Sequence, residues 1–430
     1  MLADRLNPHD SIHWPISDHR STPMCDDGHA AEDRSLSHEP EALDVERARR
    51  ETPGCDVVVH LNNAGAALIP EPVLSAMVGH LEREAMIGGY EAAAEAHERV
   101  EHTYDSIARL LGCESGEVAV VENATRAWDM AFYAFRFEPG DRILSSAAEY
   151  ASNYIAFLQV AARTGAQVEV VPSDPSGQVA VDALESMIDD RVKLISLTHV
   201  PTNGGLVNPA AAVGEVARRH DIPFLLDACQ SVGQLPVDVE AVGCDILSAT
   251  GRKFLRGPRG TGFLYVRRSL IERLEPPLLD LHAAEWISRD AYRIRPDARR
   301  FENWETNYAS KIGLGVAVDY ALDWGLGAIW DRVRQLGEAL RDRLEQLPKV
   351  TVLDVGEVRC GIVSFACEGM EGADVQRRLR AESINVSFSP RPYTRIDMED
   401  RGLAEIVRAS VHYYNTEAEL DRACELLATL

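Results

Sequence analysis

The most constraining feature of this 430-residue chain is an alternation that begins near residue 57. Short apolar runs bounded by turn residues read as buried strands: Val118–Val121, Arg142–Ser145, Val168–Val171, Leu194–Thr198, Pro223–Asp227, Asp245–Ala249 and Gly262–Val266. Between many of them lie helical patterns such as Arg126–Ala134, Asn153–Arg163 and Ala210–His220. Strands with no polar face must be covered on both sides, and helical crossovers between them bring successive strands parallel. The pattern predicts an α/β fold with a mostly parallel sheet. After Asn307 it changes to helical stretches over Tyr308–Trp324 and Ile329–Leu347, followed by short strands and helices. Three parts are expected: a polar, disordered extension over 1–52, a large domain over 53–307 and a small α+β domain over 308–430.

Charge and composition remove several classes of answer. Forty-four basic against 68 acidic residues leave a net charge of -24, a poor match for a phosphate backbone, so nucleic acid is not an expected partner. No apolar stretch approaches the length of a membrane span, and the first residues form no apolar secretory core. The eight cysteines make no Cys-x-x-Cys pair, which suggests reduced thiols in a cytoplasmic protein without a metal site. Five of the 13 histidines fall before residue 39 at irregular spacings, which gives no ligand pair. Only four lysines occur, at 193, 253, 311 and 349, so amine chemistry has four candidates.

Three segments carry chemistry. In DILSATGRKFLRGPRGTGFLYV (245–266) a strand runs into Lys253, flanked by Thr250 and Arg252 and followed by Gly257, Gly260 and Gly262. A hydroxyl and a guanidinium suit a phosphate, and cationic neighbours with burial lower a lysine pKa and sharpen its nucleophilicity. Upstream, PFLLDACQ ends a strand at Asp227, with Gln230 three residues on, at the strand end where α/β sheets bind ligands. Further upstream, VAVVENATRAWDMAF is a strand, a turn and a helix start at Ala124 and Thr125 that can receive an anion. Taken singly, each also reads as ordinary structure: a loop lysine, a turn aspartate, a plain N-cap.

Together, in this order, they resemble the fold-type I pyridoxal-phosphate enzymes, specifically the class V aminotransferase family of cysteine desulfurases, selenocysteine lyases and isopenicillin N epimerases. The resemblance spans about 58–428 through LNNAG (61–65), ENATRAWD (122–129), EYASN (149–153), THVPTNGGLVNP (198–209), LLDACQ (225–230), SATGRKFLRGPRGTG (248–262), RRFENWETN (299–307) and VRASVHYYNTEAEL (407–420). It implies a seven-stranded, mostly parallel sheet with a smaller C-terminal domain, pyridoxal 5'-phosphate as cofactor, and a homodimer with active sites at the subunit interface. It also implies roles. Lys253 would form the Schiff base with the cofactor, and Asp227 would pair with the pyridine nitrogen. Gln230 and Thr202 would lie near the ring oxygen, and Ala124, Thr125, Thr250 and Arg252 would hold the phosphate. Arg408 would fork onto the substrate carboxylate, with Asn63 beside the substrate.

Two departures narrow the expectation. Desulfurases carry a sulfur-accepting cysteine on a mobile loop before the carboxylate arginine, but residues 385–407 here contain none. Where they stack a histidine on the ring, this chain has Ala151, with Tyr150 just before it as a candidate for ring contact or proton transfer. With GGYEAAAEA (88–96) and ENWETN, the chain looks similar to carbon–sulfur lyases of the ergothioneine-pathway type. The expected reaction is α-proton abstraction and β-elimination on a cysteine-derived S-conjugate or sulfoxide. The alternatives are epimerisation, transamination or, in another class, cofactor binding without turnover. Arg126, Arg256, Arg259, Arg391 and Arg395 are candidates to line the opening. Glu305 and Thr306 are candidates to reach the partner's site.

Overall fold

The computed structural model describes residues 43–430. The expected N-terminal extension therefore lies outside the described residues up to residue 42. Its last ten residues do not extend from the fold. Helix Val45–Arg50 buries Ala48 completely, and Arg49 donates to Glu419 at 2.8 Å and to the Tyr414 carbonyl at 3.0 Å.

Seven strands form the central sheet: β1 (Val118–Val121), β2 (Arg142–Ser146), β3 (Gln167–Val171), β4 (Val192–Thr198), β5 (Phe224–Asp227), β6 (Ile246–Thr250) and β7 (Gly262–Val266). Their order is β1-β7-β6-β5-β4-β2-β3, with β7 antiparallel to both neighbours and the other pairs parallel. Every residue of β1, β2, β5, β6 and β7 is buried, as the unbroken apolar runs require. Helices begin where capping residues allow. Asn123 accepts a hydrogen bond from the Arg126 N–H and starts helix Ala124–Phe132, while Gly165 in a left-handed conformation ends helix Ala151–Thr164.

A second, antiparallel sheet of four strands follows: β8 (Val350–Val352), β9 (Ile362–Cys367), β10 (Ser387–Pro390) and β11 (Glu405–Ser410), in the order β8-β9-β11-β10. Packing does not divide the chain at residue 308. Helix Tyr308–Trp324 lies on helices Glu71–Ile87 and His97–Leu111, where Thr103 donates to the Lys311 carbonyl. Conversely Val59–His60, far from the small sheet in sequence, pairs in parallel with Ile384–Asn385. The physical reason is the composition of the long helix: with 11 of its residues buried, it needs cover that the small sheet alone does not supply.

A buried ion pair anchors the small sheet and ties it to the loop after β4. Arg341 donates to Asp354 at 2.7 Å and to the Cys360 and Ile362 carbonyls at 2.8 Å, and Asp354 in turn accepts from the Gly205 N–H at 3.1 Å. Side-chain exposure is 1% and 0% for the two partners, so neither charge has water to fall back on. Arg341→Met is expected to cost about 3–5 kcal/mol in urea unfolding by stranding Asp354. Arg136→Met, removing an ion pair 89% exposed on the arginine side, is expected to change stability by less than about 1 kcal/mol.

Candidate active site

Parallel strands deliver their C-terminal ends to one edge of the sheet. The register pairs Thr198 with Asp227 and Asp227 with Ser248, and Thr250 follows at the end of β6. Because β7 runs the other way, its first residue, Gly262, arrives at the same edge between Thr250 and Val121. A cavity of about 210 Å³ opens there. It is lined by Lys253, Asp227, Tyr150, Thr202 and Gln230, by the turn Asn123–Thr125, by Thr250 and Arg252, and by Thr198, Val200 and Cys229.

Lys253 is the lysine that matters. Lys193 and Lys349 are exposed. Lys311 is buried, but it is spent on an ion pair with Glu302 at 3.5 Å and a hydrogen bond to Tyr104. Lys253 faces the cavity with no ion pair among the described residues, and burial pulls its pKa down to about 8, with Arg252 and Arg408 adding to the fall. A neutral amine is thereby accessible at ordinary pH.

Asp227 is held from behind. Its Oδ1 accepts the Cys229 N–H at 2.9 Å and its Oδ2 accepts the Asn153 amide at 2.9 Å. A carboxylate fixed in this way can present a lone pair to a ring N–H in the cavity. On the opposite side, helix Ala124–Phe132 brings its first N–H groups to the wall, with the Arg126 N–H already satisfied by Asn123. Gly262 permits this approach. A Cβ there would stand 2.5 Å from the Asn123 carbonyl carbon and 2.7 Å from the Ala124 nitrogen. The glycine serves close backbone contact, whereas Gly260, at φ +77°, serves a turn.

These groups fit pyridoxal phosphate. They offer an amine for its aldehyde, an acid for its ring nitrogen, and backbone N–H groups with Thr125, Thr250 and Arg252 for its phosphate. Gln230 adds a buried side-chain oxygen in the cavity wall that has no partner among the described residues. Thr202 receives the Gln230 amide at 3.3 Å and links it to the arginine behind.

That arginine is Arg408. It lies on β11 and donates to the Thr202 carbonyl at 2.9 Å and hydroxyl at 2.8 Å, which brings it to the cavity's edge. Burial pushes its pKa down to about 10, with Arg252 adding to the effect. Its Nε is buried and has no hydrogen-bond partner among the described residues, so the guanidinium can still take an anion.

Several expectations need correction. Asn63 does not reach the site: it is fully buried, its amide donates to the His60 and Ser410 carbonyls, and its oxygen accepts from Tyr414. The neighbouring Asn62 turns the other way and meets Arg408 at 3.5 Å. Ala151 lines an adjoining cleft, so Tyr150 supplies the aromatic wall of the cavity. Among the candidate arginines, Arg256 is 1% exposed and donates to the Leu68 carbonyl, Tyr413 and Thr52 among three tyrosine rings, so it is structural. Arg391 bonds the Leu403 carbonyl, Arg395 pairs with Glu399, and Arg126 reaches Asn303. Burial lowers the Arg252 pKa, and the exposed Arg259 lies near enough to add to the fall. Glu305 is exposed and Thr306 half-buried beside the buried Glu302.

Residues 59–423 match the family Aminotransferase class-V. A probable cysteine desulfurase of Methanothermobacter thermautotrophicus is 29% identical over 390 residues, 89% of this chain and 97% of that protein. The apo structure of a cysteine desulfurase from Thermococcus onnurineus superposes with a TM-score of 0.83 at 26% identity, covering 90% of this chain and 98% of the other. The cystine C–S lyase C-DES, solved with its product cysteine persulfide, shares the fold at a TM-score of 0.80 and 22% identity, over 88% and 99% of the two chains.

Two outcomes test the geometry. The rate at which the cofactor-free protein captures pyridoxal phosphate is expected to rise with pH through a midpoint near 8, the pKa assigned to Lys253, and a midpoint near 10.5 would contradict the assignment. Gly262→Ala is expected to weaken cofactor binding by at least about tenfold in an absorbance titration, because the turn must retreat from the strand.

Proposed function

This chain belongs to the class V aminotransferase family of pyridoxal-phosphate enzymes, and within it we propose that it is a lyase cleaving the carbon–sulfur bond of a cysteine-derived S-conjugate or sulfoxide. The observation that carries this reading is the thiol inventory around the cavity. The segment 385–407 holds no cysteine, and it is pinned by Thr394, which accepts from Asn203 at 2.8 Å, and by the Asp397 N–H on the Ala147 carbonyl. Cys360 is fully buried in the hydrophobic cluster that runs under the large sheet, and Cys367 pairs across to Val350. Cys229, which does line the cavity, has its thiol pushed well above the ordinary range by burial and by Asp227, so it is a poor thiolate. Among the described residues no thiol is placed to take the sulfur, which supports its leaving with the substrate fragment instead of passing to a protein persulfide.

Bound pyridoxal phosphate supplies an electron sink for the α-carbon of an amino acid. The protein's share follows from its groups. Arg408 takes the α-carboxylate, and Thr202 fixes its guanidinium from behind. Asp227 holds a proton at the ring nitrogen, steadied by its two N–H donors. Once substrate occupies the site, the neutral Lys253 Nζ removes the α-proton as general base. The Cβ–S bond then breaks, the sulfur fragment departs as thiolate or sulfenate, and the released aminoacrylate hydrolyses to pyruvate and ammonia. A homodimer that completes this site at its interface is part of the same reading, with Trp304 and Glu305 exposed on the segment that would face the partner.

Incubation with a panel of cysteine conjugates and sulfoxides is expected to release pyruvate in a reaction abolished by Lys253→Ala, with no persulfide on the protein by mass spectrometry. D-amino acid without pyruvate would replace the reading with epimerisation, and conversion of the cofactor to its pyridoxamine form would replace it with transamination.

A further inference from the structure

The segment EYASN contributes more than a wall to the cavity. Glu149 lies just before the Tyr150 N-cap of helix Ala151–Thr164 and Asn153 in that helix's first turn, both behind Asp227. The Asn153 Nδ2 lies 2.9 Å from Glu149 Oε1 and 2.9 Å from Asp227 Oδ2, so each of its two hydrogens meets a carboxylate. Glu149 Oε1 also accepts the Tyr150 N–H at 2.9 Å and the Thr198 hydroxyl, and its Oε2 accepts from Ser145 at 2.9 Å. Glu149 is 3% exposed, and among the described residues it forms no ion pair with a cation.

We propose that Glu149 is a positioning residue for Asp227, acting through the Asn153 amide to keep the Asp227 carboxylate aimed at the cofactor's ring nitrogen. An amide between two carboxylates must present its NH2 to both. With Glu149 as a fixed acceptor, that orientation is set before any ligand enters, and Asp227 Oδ2 cannot swing toward the strand. Without it, the amide loses its anchor and Asp227 keeps only the Cys229 N–H as a firm donor. The groups around the pair are few. Asp227 faces Glu149 across Asn153, Lys253 and Cys229 lie beyond Asp227, and Tyr154 and Arg395 line the outer cleft, with Arg395 paired to Glu399 at 2.7 Å. Burial and the Asp227 charge raise the Glu149 pKa, in line with two acids sharing one amide.

The inference rests on pyridoxal phosphate binding at Asp227 and is independent of the sulfur substrate. Its test is a double-mutant cycle on the full-length protein, read by absorbance titration of the cofactor-free form with pyridoxal phosphate. Glu149→Ala is expected to weaken cofactor binding about tenfold when Asp227 is present, and less than about twofold in an Asp227→Ala background. Glu149→Gln, which keeps an acceptor oxygen for Asn153, is expected to stay within about threefold of the parent. An equal loss in both backgrounds, or no loss on Glu149→Ala, overturns the proposal, since a merely structural role would add independently of Asp227. If Glu149→Ala fails to fold by circular dichroism, Asn153→Ala enters the same cycle with the same two outcomes. A parent protein that binds no pyridoxal phosphate would overturn the cofactor premise instead, a failure visible before any variant is made.

Discussion

The site depends on the register of the parallel strands. With Thr198, Asp227 and Ser248 level across β4, β5 and β6, the strand ends form a shelf on which polar side chains need not compete with the core. Below the shelf every residue of β5 and β6 is buried and largely apolar; above it the backbone turns into loops that carry Gln230, Arg252 and Lys253. The antiparallel β7 closes the arrangement, because only a strand entering from that edge can set a glycine against the Asn123–Ala124 turn. One sheet thus brings an amine, an acid and an anion cradle within a single cavity.

The second sheet contributes through a small number of buried polar contacts. Arg408 crosses from β11 to Thr202, Arg341 and Asp354 tie β9 to the loop at Gly205, and the His412 Nε2–H donates to the Phe254 carbonyl just after Lys253. Arg256 adds a fourth tie, wrapped by Tyr320, Tyr413 and Tyr414, at a positive φ of 60° that a loop under weaker constraint would not hold. The turn that bears Lys253 and the strand that bears Arg408 are consequently fixed relative to one another. A substrate held by Arg408 would therefore present its α-carbon to a defined amine.

The local signals of this site were legible because each rests on spacing along the chain. Lys253 between Thr250, Arg252 and three glycines, and Asp227 at the end of an apolar run, need no partner from elsewhere to be noticed. What escaped reading depends on contacts across the chain. Asn62 and Asn63 are equivalent in sequence, and only the pairing of their segment with Ile384–Asn385 and Ser410 decides which faces Arg408. Glu149 and Asn153 had a signal, the i,i+4 spacing of an acid and an amide, but its meaning required Asp227, 74 positions after Asn153, to arrive in front of them. Arg256 looks like Arg259 in a string of letters; three tyrosines from two distant segments bury the first and leave the second exposed.

The sequence by itself determined the fold class and the sheet's strands, and it singled out Lys253 and Asp227 as candidates, because hydrophobic period and residue chemistry are local properties. Tertiary structure decided which of several identical residue types does the work. Among the described residues it spent Lys311 on Glu302 and left Lys253 without an ion pair, buried Arg256 and left Arg408 with an open nitrogen, and gave Asp227 a second carboxylate behind an amide. Those choices rest on desolvation and on hydrogen bonds between segments far apart in the chain.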